Sequence, residues 1–301
     1  MGRKDFSMLL LLALIWGASF LFMRIASPVF GPVFTTELRV SMAAAALLLY
    51  ALVTRRKLGL WRHWKPFLVL GGLNAALPFT LICMAELHLS ASLAAILNAT
   101  TPMFTALAAW GTHQEKPGRS KSLGLIIGVL GVIVLVGWSP VPLEGKVLMS
   151  VLFSLGAALS YGFGGLYAAR AGKGVEPLTL AIGQQLGASV LLLPLAIIFM
   201  PRQMPTAAAV YSVIGLSILC TSIAYLIYFR LIHNVGAVKT ASVTFLVPVF
   251  GVVWGVLFLH EQVYLNTILG LVIILLSVTL VNRRGGRRKT VDIAGNLDKG
   301  A

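Results

Sequence analysis

The chain has 301 residues, of which 58% are apolar and only 11% are charged, less than half the roughly 25% charged content of a soluble domain. This excludes a disordered protein, a disulfide scaffold and an ordinary soluble enzyme. The formal net charge of +15 would suggest nucleic acid in a soluble protein, but the basic residues sit in short runs between apolar segments, where they act as topology signals.

A membrane span needs about 20 mostly apolar residues, and the chain divides into ten such runs: 6–25, 33–53, 65–85, 91–110, 123–139, 147–170, 178–200, 207–232, 236–258 and 265–282. The expectation is an all-α integral membrane protein made almost entirely of spans. Residues 1–25 read as the first span and not as a cleaved signal peptide, because no small-x-small cleavage site follows the apolar run. Span one carries Trp16 near its middle, with Ser19 three residues on. Membrane Trp usually sits at the interface, so a midplane indole needs either a wet cavity or a buried partner for its N–H.

Span two opens with Glu37 and Arg39, and span three ends with Glu86 and His88, all on the same expected side. Two readings fit these four: a charged cluster at an outer mouth, or snorkelling and mutual pairing. Span three also holds Asn74, Pro78 and Phe79. Span four presents Asn98, Thr101, Pro102 and Thr105 at i, i+3, i+4 and i+7, which is one helix face. Pro102 removes a backbone hydrogen bond and so frees the Asn98 carbonyl for substrate or solvent.

Span six has Tyr161 at its middle, span eight has Thr221, Tyr225 and Tyr228, and span nine repeats the polar-proline device with Thr244 and Pro248. Pro102 and Pro248 are the candidate hinges; the alternative is a pair of kinks that serves packing alone. Aromatic walls with a few polar groups suit a flat, partly apolar solute better than a sugar or a metal ion. Cys83 and Cys220 fall inside apolar spans, where small-hydrophobe packing is expected. Gly124-x-x-x-Gly128, Gly183-x-x-x-Gly187 and Gly251-x-x-x-Gly255 are close-contact faces, within the chain or between subunits.

The basic residues set the expected orientation. With the N-terminus inside, 18 of the 24 Lys and Arg fall on inner segments and three, Arg24, Lys146 and Arg202, fall outside. Both termini are therefore expected in the cytoplasm.

The two halves of the chain match. At an offset of 146, Pro102 falls on Pro248, Glu115 on Glu261 and Gly124-Leu125-Ile126-Ile127 on Gly270-Leu271-Val272-Ile273. At 145, Ala13-Leu14-Ile15-Trp16-Gly17 falls on Ala158-Leu159-Ser160-Tyr161-Gly162. Five spans per half is an odd number, so the second half enters the membrane from the opposite face. Such an inverted repeat allows one central site to open to either side. The expected divisions are 1–140 for the first repeat, 141–283 for the second and 284–301 for a cytoplasmic tail.

Ten spans, a duplicated half, Trp16-Gly17 in the first span, and Pro102 and Pro248 each followed by an acid, Glu115 and Glu261, resemble the drug/metabolite transporter superfamily of EamA type. Within it the likeness is nearest to aromatic-amino-acid exporters of the bacterial inner membrane. The resemblance implies gradient-driven export of small metabolites, with no cofactor and no metal. On that basis Trp16, Ser19, Asn74, Phe79, Asn98, Thr101, Tyr161, Tyr225, Tyr228 and Thr244 are the expected substrate-binding residues. The expected partners are a small-molecule substrate and the lipid bilayer, with no nucleic acid, and the unit is a monomer or a homodimer. Other cargoes, among them threonine or homoserine and methyl viologen, remain open.

An intramembrane enzyme or a channel is the rival class. His260-Glu261 lacks the second His that a zinc-protease helix needs, all five His lie close to span ends, and no phosphate-cradling Gly-Lys-Ser/Thr loop occurs. No catalytic residue is assigned. No ring of core charges marks a selectivity filter.

Overall fold

The computed structural model describes residues 2–112, 118–137, 144–202 and 204–282. Glu115, Lys116, His113 and the basic tail from Arg283 lie outside the described residues. Among the described residues nine helices are long and apolar enough to cross a membrane: α1 (Arg3–Phe30), α2 (Pro32–Val53), α3 (Leu60–Ala85), α4 (Ala91–Gly111), α5 (Arg119–Gly137), α6 (Gly145–Ala171), α7 (Pro177–Ile198), α8 (Ala207–Val235) and α10 (Leu265–Asn282). The shorter α9 (Val243–Leu259) is preceded by a single helical turn, Ala237–Thr240.

Local chemistry marks the ends. Proline opens α2 and α7, where the missing N–H costs nothing. Ser90 and Thr206 cap α4 and α8 by accepting from the amides of Leu93 and Ala209. α1 and α2 are joined by Gly31 alone, at φ 77°, a conformation that favours glycine.

The helices define two ends. Arg56 of the α2–α3 turn pairs with Glu176 of the α6–α7 turn at 3.4 Å, and Asn234 donates to Asp5 at 2.9 Å, both at the end rich in Lys and Arg. At the far end Arg24 donates to the Glu86 carbonyl oxygen. There Glu261 also accepts from the amides of Ala91 and Ser92, at 2.7 and 3.0 Å.

The packing repeats as the sequence does. α1 crosses α9 as α6 crosses α4, α3 packs on α7 as α8 packs on α2, and α3 meets α6 as α8 meets α1. α5 pairs with α10 at one side of the bundle. Their glycines explain the fit: a Cβ on Gly124 would come 2.8 Å from Val281 Cγ2, and one on Gly270, its repeat mate, 2.7 Å from Leu135 Cβ. Gly183 and Gly187 of α7 lie against Phe67 of α3. These small-residue faces are thus used within the chain.

Several helices are irregular, and the sites differ from the expected ones. α1 extends to Phe30, so Arg24 lies in the helix and not beyond it. α4 is interrupted at Ala99–Thr100, just ahead of Pro102. α9 runs unbroken through Pro248, and its interruption falls at Ala241–Ser242. π-helical turns occupy 72–76 in α3 and 215–223 in α8, matching places in the two halves.

Candidate functional site

A cavity of about 800 Å³ enters the bundle from the basic end, within the size range of small-molecule sites. Its mouth is formed by Ala109, Lys121, Ala241 and Asn282, and its floor near mid-bundle by Phe20, Met23, Arg39, Ile82 and Ala95. The irregular turns help to build it. Helix breaks and π-turns leave backbone that neighbours must satisfy, and in a membrane such backbone borders protein or a wet cavity.

All ten residues expected to bind substrate line this one cavity: Trp16, Ser19, Asn74, Phe79, Asn98, Thr101, Tyr161, Tyr225, Tyr228 and Thr244, together with Pro102 and Pro248. Trp16 packs on Tyr228 with ring centroids 5.4 Å apart, and Phe79 meets Tyr161 edge-on at 6.3 Å. The walls are therefore aromatic on two sides. Asn74 donates to Gln184 at 3.0 Å, and Gln184 donates to the Tyr225 hydroxyl at 2.7 Å, a polar chain that links α3, α7 and α8.

The Asn98 carbonyl is not free: with Pro102 unable to donate, the Thr101 hydroxyl takes its place at 2.7 Å. The Asn98 side-chain oxygen, by contrast, has no hydrogen-bond partner among the described residues.

The four charges read either as an outer-mouth cluster or as snorkelling pairs make separate contacts, with no ion pair within 4.0 Å between them among the described residues. Glu37 turns to α7 and accepts from Ser189 at 2.6 Å. Arg39, two helical turns into α2, lies at the cavity floor, 5% exposed. Glu86 is fully buried just past the end of α3, and neither carboxylate oxygen has a hydrogen-bond partner among the described residues. His88 is exposed on the following turn. Successive helical residues point about 100° apart, so Glu37 and Arg39 face opposite neighbours despite being two positions apart.

Sequence reasoning missed Gln184 and the placement of Arg39. A Gln-Gln pair at 184–185 in an apolar span was the available signal for the first, since intramembrane amides need internal partners. Among the described residues no group of three or more His, Cys, Asp or Glu could hold a metal ion.

Three of the five floor residues have repeat mates on the cavity lining, toward the basic end. Phe20, Ile82 and Ala95 of the floor are buried. Their mates at offset 145 or 146 are Gly165, Tyr228 and Ala241, which line the open part of the cavity. α1 contacts both α3 and α4 at the closed end, whereas α6 makes no comparable contact with α8 or α9 among the described residues.

Known proteins share this architecture. The chain is 29% identical over 293 residues to an uncharacterized transporter, YvbV, of Bacillus subtilis (strain 168), covering 96% of this chain and 95% of that one. It is 27% identical over 286 residues to the uncharacterized inner membrane transporter YedA of Escherichia coli (strain K12), covering 92% and 90%. A solved crystal structure superposes with a TM-score of 0.65 over 94% of this chain and 97% of that chain, at 16% identity, which shows a shared fold. The sequence model of the EamA-like transporter family matches residues 5–137 and 148–283. The chain belongs to the EamA-like transporter family.

Proposed function

We propose that this multi-pass membrane protein is a secondary carrier that exports small metabolites, foremost aromatic amino acids, across a bacterial inner membrane. The basic end and both termini face the cytoplasm under the positive-inside rule. The chain then divides into repeats 1–140 and 141–283 with a cytoplasmic tail, 284–301.

One observation carries the reading: Phe20, Ile82 and Ala95 at the closed floor and their repeat mates Gly165, Tyr228 and Ala241, toward the basic end, line a single cavity. A bundle built of two inverted halves has a second arrangement in which the halves exchange these roles, opening the site to the other face. The interrupted turns at Ala99–Thr100, beside Pro102, and at Ala241–Ser242, about two helical turns before Pro248, are the places where α4 and α9 can bend with little loss of hydrogen bonding. Trp16, Tyr161, Tyr225 and Tyr228 give the solute flat apolar walls; Asn74, Asn98, Thr101 and Thr244 give it polar contacts.

Counterflow in proteoliposomes tests this. Vesicles are preloaded with unlabelled phenylalanine, tryptophan, threonine or methyl viologen and given trace labelled solute. Accumulation with the aromatic amino acids, lost in Trp16→Ala at normal folded yield, is the expected result. Accumulation with threonine or methyl viologen alone overturns the cargo and keeps the carrier. Unchanged transport in Trp16→Ala overturns the central site.

A further inference from the structure

Arg39 holds a formal positive charge at the floor of the cavity, and among the described residues none of its nitrogen atoms pairs with a carboxylate. Its Nε donates to the Thr221 hydroxyl at 3.1 Å, Nη1 reaches the Met23 sulfur at 3.5 Å, and the guanidinium carbon lies 3.7 Å from the centroid of the Phe79 ring. Two acids lie on the elements around it. Glu37 is held by Ser189, and Glu86 is buried just past the end of α3, its carboxylate without a hydrogen-bond partner among the described residues. Glu86 is close enough for its charge to be felt by Arg39 yet outside the 4.0 Å of an ion pair, since among the described residues that pair is Arg56–Glu176, at the basic end. A thioether is a weak acceptor, and Nη2 has no hydrogen-bond partner at all among the described residues. A buried cation that meets only a hydroxyl, a thioether and a π-face is under-satisfied.

Packing of the duplicated fold does not require this charge. α2 and α7 are both 22 residues long and both open with proline. Aligned on Pro32 and Pro177, Arg39 falls on Gln184. Gln184 is also buried, yet neutral, and is satisfied by Asn74 and Tyr225 within the protein. The same position in the two halves therefore carries a closed amide chain in one and an open guanidinium in the other.

Resting on the proposed carrier reading, we propose that Arg39 anchors a carboxylate of the transported solute at the cavity floor. Phe79, Thr221 and Met23 fix the plane of the guanidinium, leaving Nη2 and the second N–H of Nη1 to the solute. Such a planar donor edge matches a planar, singly charged carboxylate. Among the described residues the floor supplies this one cation, which suits a monoanionic group, whereas a phosphate dianion would call for a second. The body of the solute then extends toward Trp16 and Tyr228. The class predicted is organic acids and amino acids with an apolar or aromatic body. Their amides, esters and amines are excluded, and so are organic cations such as methyl viologen.

Thermal unfolding of the purified full chain with acid–amide pairs tests the subsite independently of transport. Phenylalanine with phenylalaninamide, benzoate with benzamide, and threonine with threoninamide are suitable probes. At least one acid is expected to raise the melting temperature while its amide binds more than ~30-fold more weakly. Arg39→Gln is expected to abolish the difference, and Arg39→Lys, which keeps the charge without the planar edge, to retain part of it. If Arg39→Gln does not fold, the acid–amide comparison in the unaltered protein still decides. Stabilisation by threonine or another non-aromatic acid, lost in Arg39→Gln, would keep the subsite and overturn the aromatic cargo. Equal stabilisation by acids and amides, none by any acid, or an unchanged preference in Arg39→Gln overturns the subsite.

Discussion

Gly17 of α1 lies so close to Phe250 of α9 that a Cβ on the glycine would come 2.7 Å from the phenylalanine Cβ. The mate of Gly17 is Gly162 and the mate of Phe250 is Phe104, and a Cβ on Gly162 would come 2.9 Å from the Phe104 carbonyl carbon. The two crossings are the same contact made twice, and each sets the separation of the helices that carry an aromatic cavity residue, Trp16 or Tyr161.

Gly17→Ala and Gly162→Ala should therefore each lower stability. Overpacking a tight crossing costs about 1–3 kcal/mol, because the obstacle includes backbone that cannot rotate away. Gly165→Ala is the control, since a Cβ there meets nothing within 4 Å. Melting curves in detergent check the set. Equal stability of Gly17→Ala and Gly165→Ala would show that the crossing is loose.

The repeat was legible in the sequence because glycines, prolines and the Trp16-Gly17 pair stand out from a uniformly apolar background at constant offset. So was the set of residues that meet in the cavity, since polar and aromatic groups at midplane depth have few other places to go. Arg39 was not placed, because distance from the start of a helix does not say which neighbours its side chain meets. The break in α9 at Ala241–Ser242 was hidden as well. Proline at 248 is the visible disruptor, but the helix absorbs it, and the break falls at residues whose composition looks helical. The π-turns of α3 and α8 add a residue to a turn without altering its hydrophobicity, so no periodic signal marks them.

Gln184 joins Asn74 to Tyr225, and Gln184→Leu should leave both of those groups without a partner in the membrane interior. The expected cost is about 1–3 kcal/mol for each buried group orphaned, seen as a lower melting temperature. Tyr225, no longer held, should also raise the KM for the transported solute more than it lowers the maximal rate. Gln184→Glu keeps the acceptor for Asn74, and while protonated it also keeps a donor for Tyr225. It should be the milder change. Identical behaviour of the two variants would remove the bonded chain as the cause.

Glu261 ties the α9–α10 connection to the start of α4. Its carboxylate accepts from the amides of Ala91 and Ser92 and from the Ser92 hydroxyl, at a helix N-terminus where negative charge is favoured. Glu261→Ala should cost about 1–2 kcal/mol, and Glu261→Gln less, because one acceptor oxygen remains. Hydrogen exchange at the amides of Ala91 and Ser92 reads the loss directly. Protection unchanged in Glu261→Ala would mean that the far end is held by other contacts.

Glu86 lies at the same closed end, just beyond α3. Burial raises its carboxyl well above the ordinary value of 4.5; Arg24 pulls it down, Glu261 adds to the rise and Arg39 pulls it down again. A carboxyl that holds its proton more tightly in the folded chain than in the unfolded one contributes stability in full below 4.5 and loses it as pH rises through the folded value. The melting temperature should therefore fall as pH is raised above about 4.5. Glu86→Gln, which mimics the protonated group, should flatten that part of the profile and be the more stable form at neutral pH. Arg24 already donates to the Glu86 carbonyl oxygen, so opening of the far end would let water and that guanidinium reach the carboxylate, favouring its ionised form. Alkaline pH on that side should accordingly favour the open far end, measured as a steeper rise of labelling with pH for a cysteine introduced at Ile82, in a background lacking Cys83 and Cys220, than for the same cysteine with Glu86→Gln, because the thiolate fraction rises equally in both. The same rise of labelling with pH in both backgrounds, with a Glu86→Gln melting profile like that of the unaltered chain, would remove Glu86 from control of the closed end.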